Sequence, residues 1–424
     1  MGTLLIIATA WFFDFLYLSY TSISERSIDV WAQLQYIAYL TGHHAVPSAL
    51  NCAVCHHPPL YYALGAAVSS IGTWAKWQDI PRVLQYLSVG FAGVYLVFGA
   101  LTLRLFVRQK TTRWVGTALF AFFPGNIIAS ARIHNDGLAN ALMVAAVYFV
   151  LVWWFDGRLR ELLIGSCLVG LTLLTKSTGM VPLGLLLALA AVRLYLSSER
   201  LSFVRKLMPS IGVLAFTLGL RNWLRVPLKG VSTCFANLGR ACAEPSAHLD
   251  HGISSYLWLD LKLFLTQPFL LLSITSIERG NFWNCFFKSG LFGFYPGVAD
   301  PEMSAEPNTK LALAANGVLL GLLVLGVVLA TRVGIEWYRR EAPLLLLCAG
   351  AIAFLMVFRL AVPNPHHGDM RHAFGLTAWG STLLMTLIER RGREAPLRYF
   401  TGLGLSLLLV AVSIAFFVPK LPYT

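Results

Sequence analysis

Two acidic side chains stand beside long apolar segments, at positions where they could take part in chemistry. Asp29 follows the first apolar segment, and Asp136 separates two others. A carboxylate can accept a proton from a hydroxyl group and so activate it. The cations at comparable positions are Arg132, Lys176, Arg221 and Arg371, followed directly by His372. Because cations stabilise a departing phosphate, a pocket holding both kinds of group would support transfer from a phosphate carrier to a hydroxyl.

Each of these residues also has a simpler interpretation. Arg132 and Arg221 would reach lipid headgroups, and Lys176 would cap a helix C terminus. Asp29 would be a solvated loop acid. Their shared placement favours function instead, since all of them map to one membrane face near the ends of different helices. That placement is typical of a single polar cavity opening outward.

A cysteine motif in the same part of the sequence allows other chemistry. Cys52-Ala53-Val54-Cys55-His56 has the spacing of a c-type haem attachment site. The second axial ligand would come from His43, His44, His366 or His367. We favour a disulfide between Cys52 and Cys55, because the haem motif has only three fixed positions and oxidation is permitted outside the cell. Cys234 and Cys242 are a second candidate pair, and the histidine pairs at 43–44, 56–57 and 366–367 leave a zinc site open.

The composition indicates a membrane protein that crosses the bilayer many times. Hydrophobic residues make up 57% of the 424 residues, and charged residues only 12%, against about 25% in soluble domains. The mean hydropathy is +0.66. A net charge of +13 would suit nucleic acid, but the cations sit in short clusters between apolar runs, which is the pattern of membrane topology. No nucleic-acid partner is therefore expected.

A spanning helix needs about 20 mostly apolar residues. That length predicts eleven spans, at 3–20, 83–106, 114–131, 137–155, 162–177, 179–196, 207–223, 310–331, 343–362, 373–388 and 399–418. The first lacks the basic leader and cleavage site of a signal peptide. Two further apolar stretches, 58–72 and 255–275, suit helices lying at the membrane interface. If 58–72 also crossed the membrane, the count would be twelve.

With eleven spans, every basic cluster falls on one side of the membrane. The clusters are Arg104–Arg113, Arg158 with Arg160, Arg193–Lys206, Arg332–Arg340 and Arg390–Arg398. The positive-inside rule then places the N terminus inside and the C terminus outside. The outer loops would be 21–82, 132–136, 224–309 and 363–372, in a single membrane module over 1–424 without a soluble C-terminal domain.

Several motifs resemble the GT-C superfamily of membrane glycosyltransferases. "DVWAQLQYIAYL" followed by "HHPPLYY" is similar to the first outer loop of dolichyl-phosphate-mannose protein mannosyltransferases and bacterial lipid A aminoarabinose transferases. "RIHNDGLAN" resembles the second-loop acid motif. Weaker similarities follow in the same order, in "LLTKSTGM", "RNW", "FWNCFFKSGLFGFY" and "GDMRHAFGL".

The resemblance implies a function and a set of site residues. Asp29 would be the catalytic base, and Asp136 would position a substrate or hold a divalent Mg or Mn ion together with Asp29. The residues implied in binding the donor phosphate are Lys176, Arg221, Arg371, His57, Arg132 and His372. The enzyme would move a sugar, with inversion, from a polyprenyl-phosphate donor to a hydroxyl of a lipid, glycan or protein.

The implied location is the plasma (inner) membrane, with the site facing the periplasm or exterior, or the ER membrane in a eukaryote. A transporter or flippase for a lipid or anionic solute is the main alternative, because it also needs buried cations and an outward cavity. Paired halves with interrupted helices, common in transporters, are not visible in the sequence.

Overall fold

The computed structural model describes residues 1–23, 29–48, 51–224, 253–271, 281–292, 294–295, 306–361, 368–392 and 395–418. The α-helices within these ranges are α1 (Gly2–Tyr20), α2 (Val30–His43), α3 (Leu60–Trp74), α4 (Ile80–Phe106), α5 (Lys110–Ala121), α6 (Pro124–Ser130), α7 (Asn135–Asp156), α8 (Leu159–Thr175), α9 (Met180–Leu196), α10 (Arg200–Leu224), α11 (Leu261–Thr266), α12 (Phe282–Phe292), α13 (Glu306–Ala330), α14 (Ile335–Ala361), α15 (Gly375–Gly392) and α16 (Pro396–Phe417). Turns of 3-10 helix occupy Ser177–Gly179, Ile253–Tyr256 and Met370–Ala373. Strands β1 (Leu270–Leu271) and β2 (Phe294–Tyr295) pair in parallel.

Eight helices in the described part of the chain are long and apolar enough to cross a membrane. They are α1, α4, α7, α9, α10, α13, α14 and α16, and each coincides with a predicted span. The other predicted spans correspond to α5 with α6, to α8 and to α15. The segment 114–131 divides at Phe122 and Phe123, because Pro124 has no N–H to donate back into α5 and instead starts α6. The chain is an integral membrane protein of the predicted all-α class, and the count of eleven spans stays a prediction.

Helix α7 lies at the centre of the bundle and is buried on most sides. It packs against α4 and α8, and small residues such as Ala141 and Ala146 let neighbouring backbones come close. Gly165 of α8 illustrates the close approach, since a Cβ there would lie 3.0 Å from the Val150 Cγ2 atom. This packing fixes the N-terminal turn of α7, which carries Asp136.

The predicted first outer loop contributes most of a second, smaller hydrophobic core. The Tyr36 and Tyr62 rings stack with centroids 3.8 Å apart, and the Tyr36 hydroxyl donates to the His57 carbonyl at 3.4 Å. Cys52 and Cys55 form a disulfide immediately before this point. Helix α2 buries Tyr36 and exposes Trp31. Because Ile133 and Leu138 belong to the same core, α2 and α3 pack beside the start of α7.

The interfacial helix expected over 255–275 does not form as one continuous helix in the described part of that stretch, which ends at residue 271. Within residues 253–271, the part that the structure describes, the α-helix is α11, and Asp260 caps it by accepting a hydrogen bond from the Leu263 amide at 2.9 Å. The helix ends at Thr266 because Pro268 disfavours helical geometry at the residue before it. Of the predicted outer loop at 224–309, residues 225–252, 272–280, 293 and 296–305 lie outside the described residues.

Basic clusters from distant parts of the chain meet at one end of the bundle. The Arg340 guanidinium donates to the Phe106 carbonyl at 2.8 Å, and the Arg108 amide donates to the Glu389 carboxylate at 2.8 Å. The Tyr399 hydroxyl donates to Gln109 at 3.0 Å. The clusters at 104–113, 332–340 and 390–398 therefore share one end, as the predicted topology requires. We call it the basic end.

Candidate active site

Asp29 directly precedes α2 and is partly open to solvent. Its carboxylate is 35% exposed, and Oδ2 lies 3.8 Å from the Arg371 Nη1 atom and 3.7 Å from the His134 Nε2 atom. Asp29 lies in the predicted first outer loop, His134 in the predicted second outer loop, and Arg371 in the turn before α15. The carboxylate is thus both reachable from outside and held beside a cation.

Asp136, in the first turn of α7, is buried and bridges several partners. Its Oδ2 atom lies 2.9 Å from the His134 Nδ1 atom, and its Oδ1 atom accepts a hydrogen bond from the Lys176 ammonium. His134 is the N-cap residue of α7. Since its ring also faces Asp29, the imidazole lies between the two acids.

Lys176 stands where α8 ends and the 3-10 turn before α9 begins, as predicted. Its amide still donates to the Thr172 carbonyl at 2.8 Å, but its own backbone is extended. Gly179 makes the sharp return possible, because a Cβ there would lie 2.8 Å from the Leu173 amide nitrogen. The backbone of Lys176 ends the helix, while its ammonium reaches Asp136 and donates to the His372 Nδ1 atom at 3.0 Å.

Arg371 belongs to the short turn that precedes α15. Asp369 begins this turn and holds Arg371 twice, through the amide at 2.8 Å and the Nε atom at 3.1 Å. The Met370 amide donates to Ser289 Oγ of α12 at 3.0 Å. Burial works against the charged form of Arg371, but Asp369, Asp136 and Asp29 outweigh it, so the pKa of Arg371 is raised.

Two partly buried histidines in the site have lowered pKa values, which favours the neutral form. Burial, with a smaller contribution from nearby positive groups, holds the pKa of His57 well below 6.5. The same cause, together with Lys176, lowers the pKa of His372 well below 6.5. Among the described residues, His57 Nδ1 and His372 Nε2 have no hydrogen-bond partner. Each can therefore contact a ligand without adding charge.

Arg221 and Arg132 are both buried, which does not fit side chains reaching for headgroups. Arg221, near the end of α10, donates to Ser177 Oγ at 2.9 Å and so lies next to Lys176 in the site. Arg132 lies two residues before His134 in the second outer loop. The structure thus brings Asp29, Asp136 and the predicted cations to the end of the bundle away from the basic end, which we call the site end.

Sequence reasoning missed residues that organise this cluster. His134 lies between the two acids, and Asp369 holds Arg371. Both occur inside motifs already noted, and an N-cap pattern was the available signal, because each residue begins a helical turn. Ser177 and Ser289 gave no sequence signal, since their roles arise from packing.

The structure also bears on the metal and haem hypotheses. A divalent ion shared by Asp29 and Asp136 would have to displace Lys176 from Asp136 and pass the His134 ring, so the residues in this arrangement do not fit it. Within the described ranges, no three His, Cys, Asp or Glu side chains are grouped to hold a metal. The disulfide uses both sulfurs that a c-type haem would need. Cys234, Cys242, His366 and His367 lie outside the described residues.

Comparison with known proteins gives a fold. No protein-family model matches the chain, and no curated protein matches it. An oligosaccharyltransferase from Archaeoglobus fulgidus, solved with Zn and sulfate, is similar with a TM-score of 0.57 and 14% identity, over 99% of this chain and 53% of that one. The apo form of the same protein is similar with a TM-score of 0.53 and 13% identity, over 100% of this chain and 56% of that one. This likeness confirms the predicted GT-C-type fold.

Two further solved structures are similar. The archaeal oligosaccharyltransferase AglB from Archaeoglobus fulgidus, in complex with an inhibitory peptide and a dolichol-phosphate, gives a TM-score of 0.50 at 11% identity, over 100% of this chain and 56% of that one. ArnT from Cupriavidus metallidurans, bound to undecaprenyl phosphate, gives a TM-score of 0.43 at 15% identity, over 93% of this chain and 79% of that one. The chain spans about half the length of the oligosaccharyltransferases.

Proposed function

We propose that the protein is an integral membrane glycosyltransferase that moves a sugar from a polyprenyl-phosphate donor to a hydroxyl acceptor on the extracytoplasmic side. The observation that carries the proposal is the meeting of Asp29, Asp136, Lys176 and Arg371 in one cluster, in a fold shared with an oligosaccharyltransferase. The oligosaccharyltransferase AglB was solved with a dolichol-phosphate, which is a donor carrier of this class.

Asp29 acts as the base in this proposal. Its partly exposed carboxylate accepts the proton of the acceptor hydroxyl, whose oxygen then attacks the anomeric carbon of the sugar. The bond from that carbon to the phosphate oxygen breaks as the new bond forms on the opposite face. Direct in-line displacement of this kind inverts the anomeric centre. The prenyl phosphate leaves with the electron pair of the broken bond.

Arg371, Lys176 and Arg221 stabilise the negative charge that grows on the leaving phosphate. They are buried, so water screens them little and their effect on a phosphate is strong. His57 and His372 are neutral and offer hydrogen bonds to the phosphate or the sugar. Asp136 orients Lys176, and Arg132 contributes positive potential from the second outer loop.

The location follows from the two ends of the bundle. If the basic end is cytoplasmic, as the positive-inside rule expects, the site end faces the periplasm or exterior, or the ER lumen in a eukaryote. Nucleotide sugars are confined to the cytoplasm, so a site facing outward requires a lipid-linked donor. This step rests on the predicted topology.

Asp29→Asn tests the proposal. The amide keeps the shape of the side chain but cannot accept the proton, so sugar transfer should be abolished while binding of undecaprenyl phosphate, used as a probe, is retained. Asp79→Asn is the matched control, because Asp79 caps α4 from the same loop and accepts from the Arg82 amide at 3.0 Å. Normal turnover by Asp29→Asn would refute the assignment. Lipid or solute flux in sealed vesicles without sugar transfer would favour the transporter alternative.

A further inference from the structure

Asn140 lies one helical turn after Asp136 and touches two parts of the proposed site. Its side-chain Nδ2 atom donates to the Asp136 carbonyl at 2.9 Å, within α7. The same nitrogen donates to the Arg371 carbonyl at 3.1 Å, across to the turn before α15. A buried amide therefore connects the backbones that carry an acid and a cation of the cluster.

The orientation of this amide follows from its surroundings. Both of its near neighbours are carbonyl oxygens, so the NH2 group must face them, because an oxygen there would be repelled and would leave both carbonyls without this donor. The Asn140 Oδ1 atom then points away, and among the described residues it has no hydrogen-bond partner. The residue Asn140 lines a cavity of about 40 Å³ between α1, α4 and α7, which Asp14 and Ser130 also line.

The spacing that Asn140 sets is critical for the side chains nearby. Arg371 Nη1 lies 3.8 Å from Asp29, and His372 Nδ1 lies 3.9 Å from Asp136 Oδ1. The first contact sits at the edge of ion-pair range, and the second is a longer contact between a neutral imidazole and a carboxylate. A shift of the turn by 1 Å would remove them, and misplacements of this size cost enzymes about 10²-fold in rate.

We propose that Asn140 is a positioning residue that holds the Arg371 turn in register with Asp136, and so places Arg371 to bind the donor phosphate. The expected effect on binding of the donor phosphate rests on the proposed function, whereas the expected effect on the position of the Arg371 turn does not. Ser289 anchors the same turn to α12 through the Met370 amide, so loss of Asn140 frees only the α7 side of the turn. The fold itself should remain.

The first measurement is amide hydrogen exchange in the detergent-purified full chain. Asn140→Ala, and Asn140→Leu as a variant of similar volume without the donor, should speed exchange across residues 370–374. Asn316→Ala is the control, because Asn316 of α13 likewise donates to a backbone carbonyl, that of Phe264 at 2.7 Å, and leaves its Oδ1 without a partner in the described residues. Unchanged exchange in both Asn140 variants would overturn the proposal.

The second measurement is the affinity for undecaprenyl phosphate. Asn140→Ala should weaken binding by roughly two- to tenfold, the range that loss of the one hydrogen bond to the Arg371 carbonyl converts to. Arg371→Ala should weaken it by at least as much, and adding Asn140→Ala to Arg371→Ala should change it little further. Additive losses in the double variant would overturn the proposal, as would unfolding of both Asn140 variants, since a positioning role leaves the fold intact.

If the unmodified protein neither binds this lipid nor transfers sugar, the proposed function fails, and the exchange data still decide the role of Asn140.

Discussion

The two ends of the helix bundle hold cations such as Lys176 and Arg158 in different ways. At the site end, the side chains of Lys176 and Arg371 are 7% and 10% exposed, and each pairs with an acid from another segment. At the basic end, Arg158 is 68% exposed, and its ion-pair partner among the described residues is its near neighbour Asp156 at 3.5 Å. Both kinds of charge flank apolar helices in the sequence. Burial and long-range pairing separate a functional cluster from charges that set topology.

Removing a buried charge should have the largest effect on stability. Lys176→Met leaves the Asp136 carboxylate buried with less compensation, so the free energy of unfolding should fall by about 3–5 kcal/mol. Thermal melting in detergent would measure the change. Arg158→Met is the matched control at the basic end, where an exposed pair contributes about 0–1 kcal/mol. Equal shifts in the two variants would remove the contrast between the ends.

Loss of the disulfide should have the next largest effect on stability, because the bond fixes the loop that presents His57. Cys52 and Cys55 are three residues apart, and closing so short a loop restricts the unfolded chain by about 2 kcal/mol. Cys52→Ser with Cys55→Ser should therefore lower the melting temperature, and dithiothreitol should do the same to the unmodified protein. Cys167→Ser is the control, since Cys167 is a free cysteine. Insensitivity to both treatments would show that the first-loop core holds His57 without the bond.

Acid should act on the site end through its neutral histidines. The pKa values of His57 and His372 are lowered in the folded protein, so below pH 6.5 the unfolded state binds more protons than the folded one. Stability should be level between pH 7 and 8 and fall below 6.5, with a slope of up to about 1.4 kcal/mol per pH unit for each histidine. Melting as a function of pH measures this slope.

His372→Asn sharpens the same measurement, because it removes one of the two groups and should reduce the acid slope. His43→Asn is the control, since His43 is exposed at the end of α2. An unchanged slope in His372→Asn would mean that this histidine is not held neutral by the fold.

Local features of the sequence account for much of the architecture. Eight predicted spans coincide with helices able to cross a membrane. They could be predicted because the length and hydropathy of an apolar segment depend only on the local sequence. The break before Pro124 and the early end of α11 were missed, although a single proline explains each one. Both errors came from weighting hydropathy above backbone geometry.

The site shows a similar division between residues and their contacts. The motif residues Asp29, Asp136 and Lys176 were identified from the sequence, since charge beside an apolar run is visible there. Their partners His134 and Asn140 were not, because a helix-capping residue and a buried amide look like ordinary polar residues until their neighbours are known. The roles assigned to all of them stay proposals until the variants above are measured.

The sequence by itself determined the all-α membrane class, the position of most spanning helices and the residue types available for chemistry, because these depend on composition and local order. Only the tertiary structure decided which charges are buried and which partners they have. Asp136 and Lys176 are 40 residues apart, and Asn140 and Arg371 are 231 apart. The packing of α7 against α8, and the turn that leads into α15, bring them within hydrogen-bond distance, and that distance depends on every helix between them.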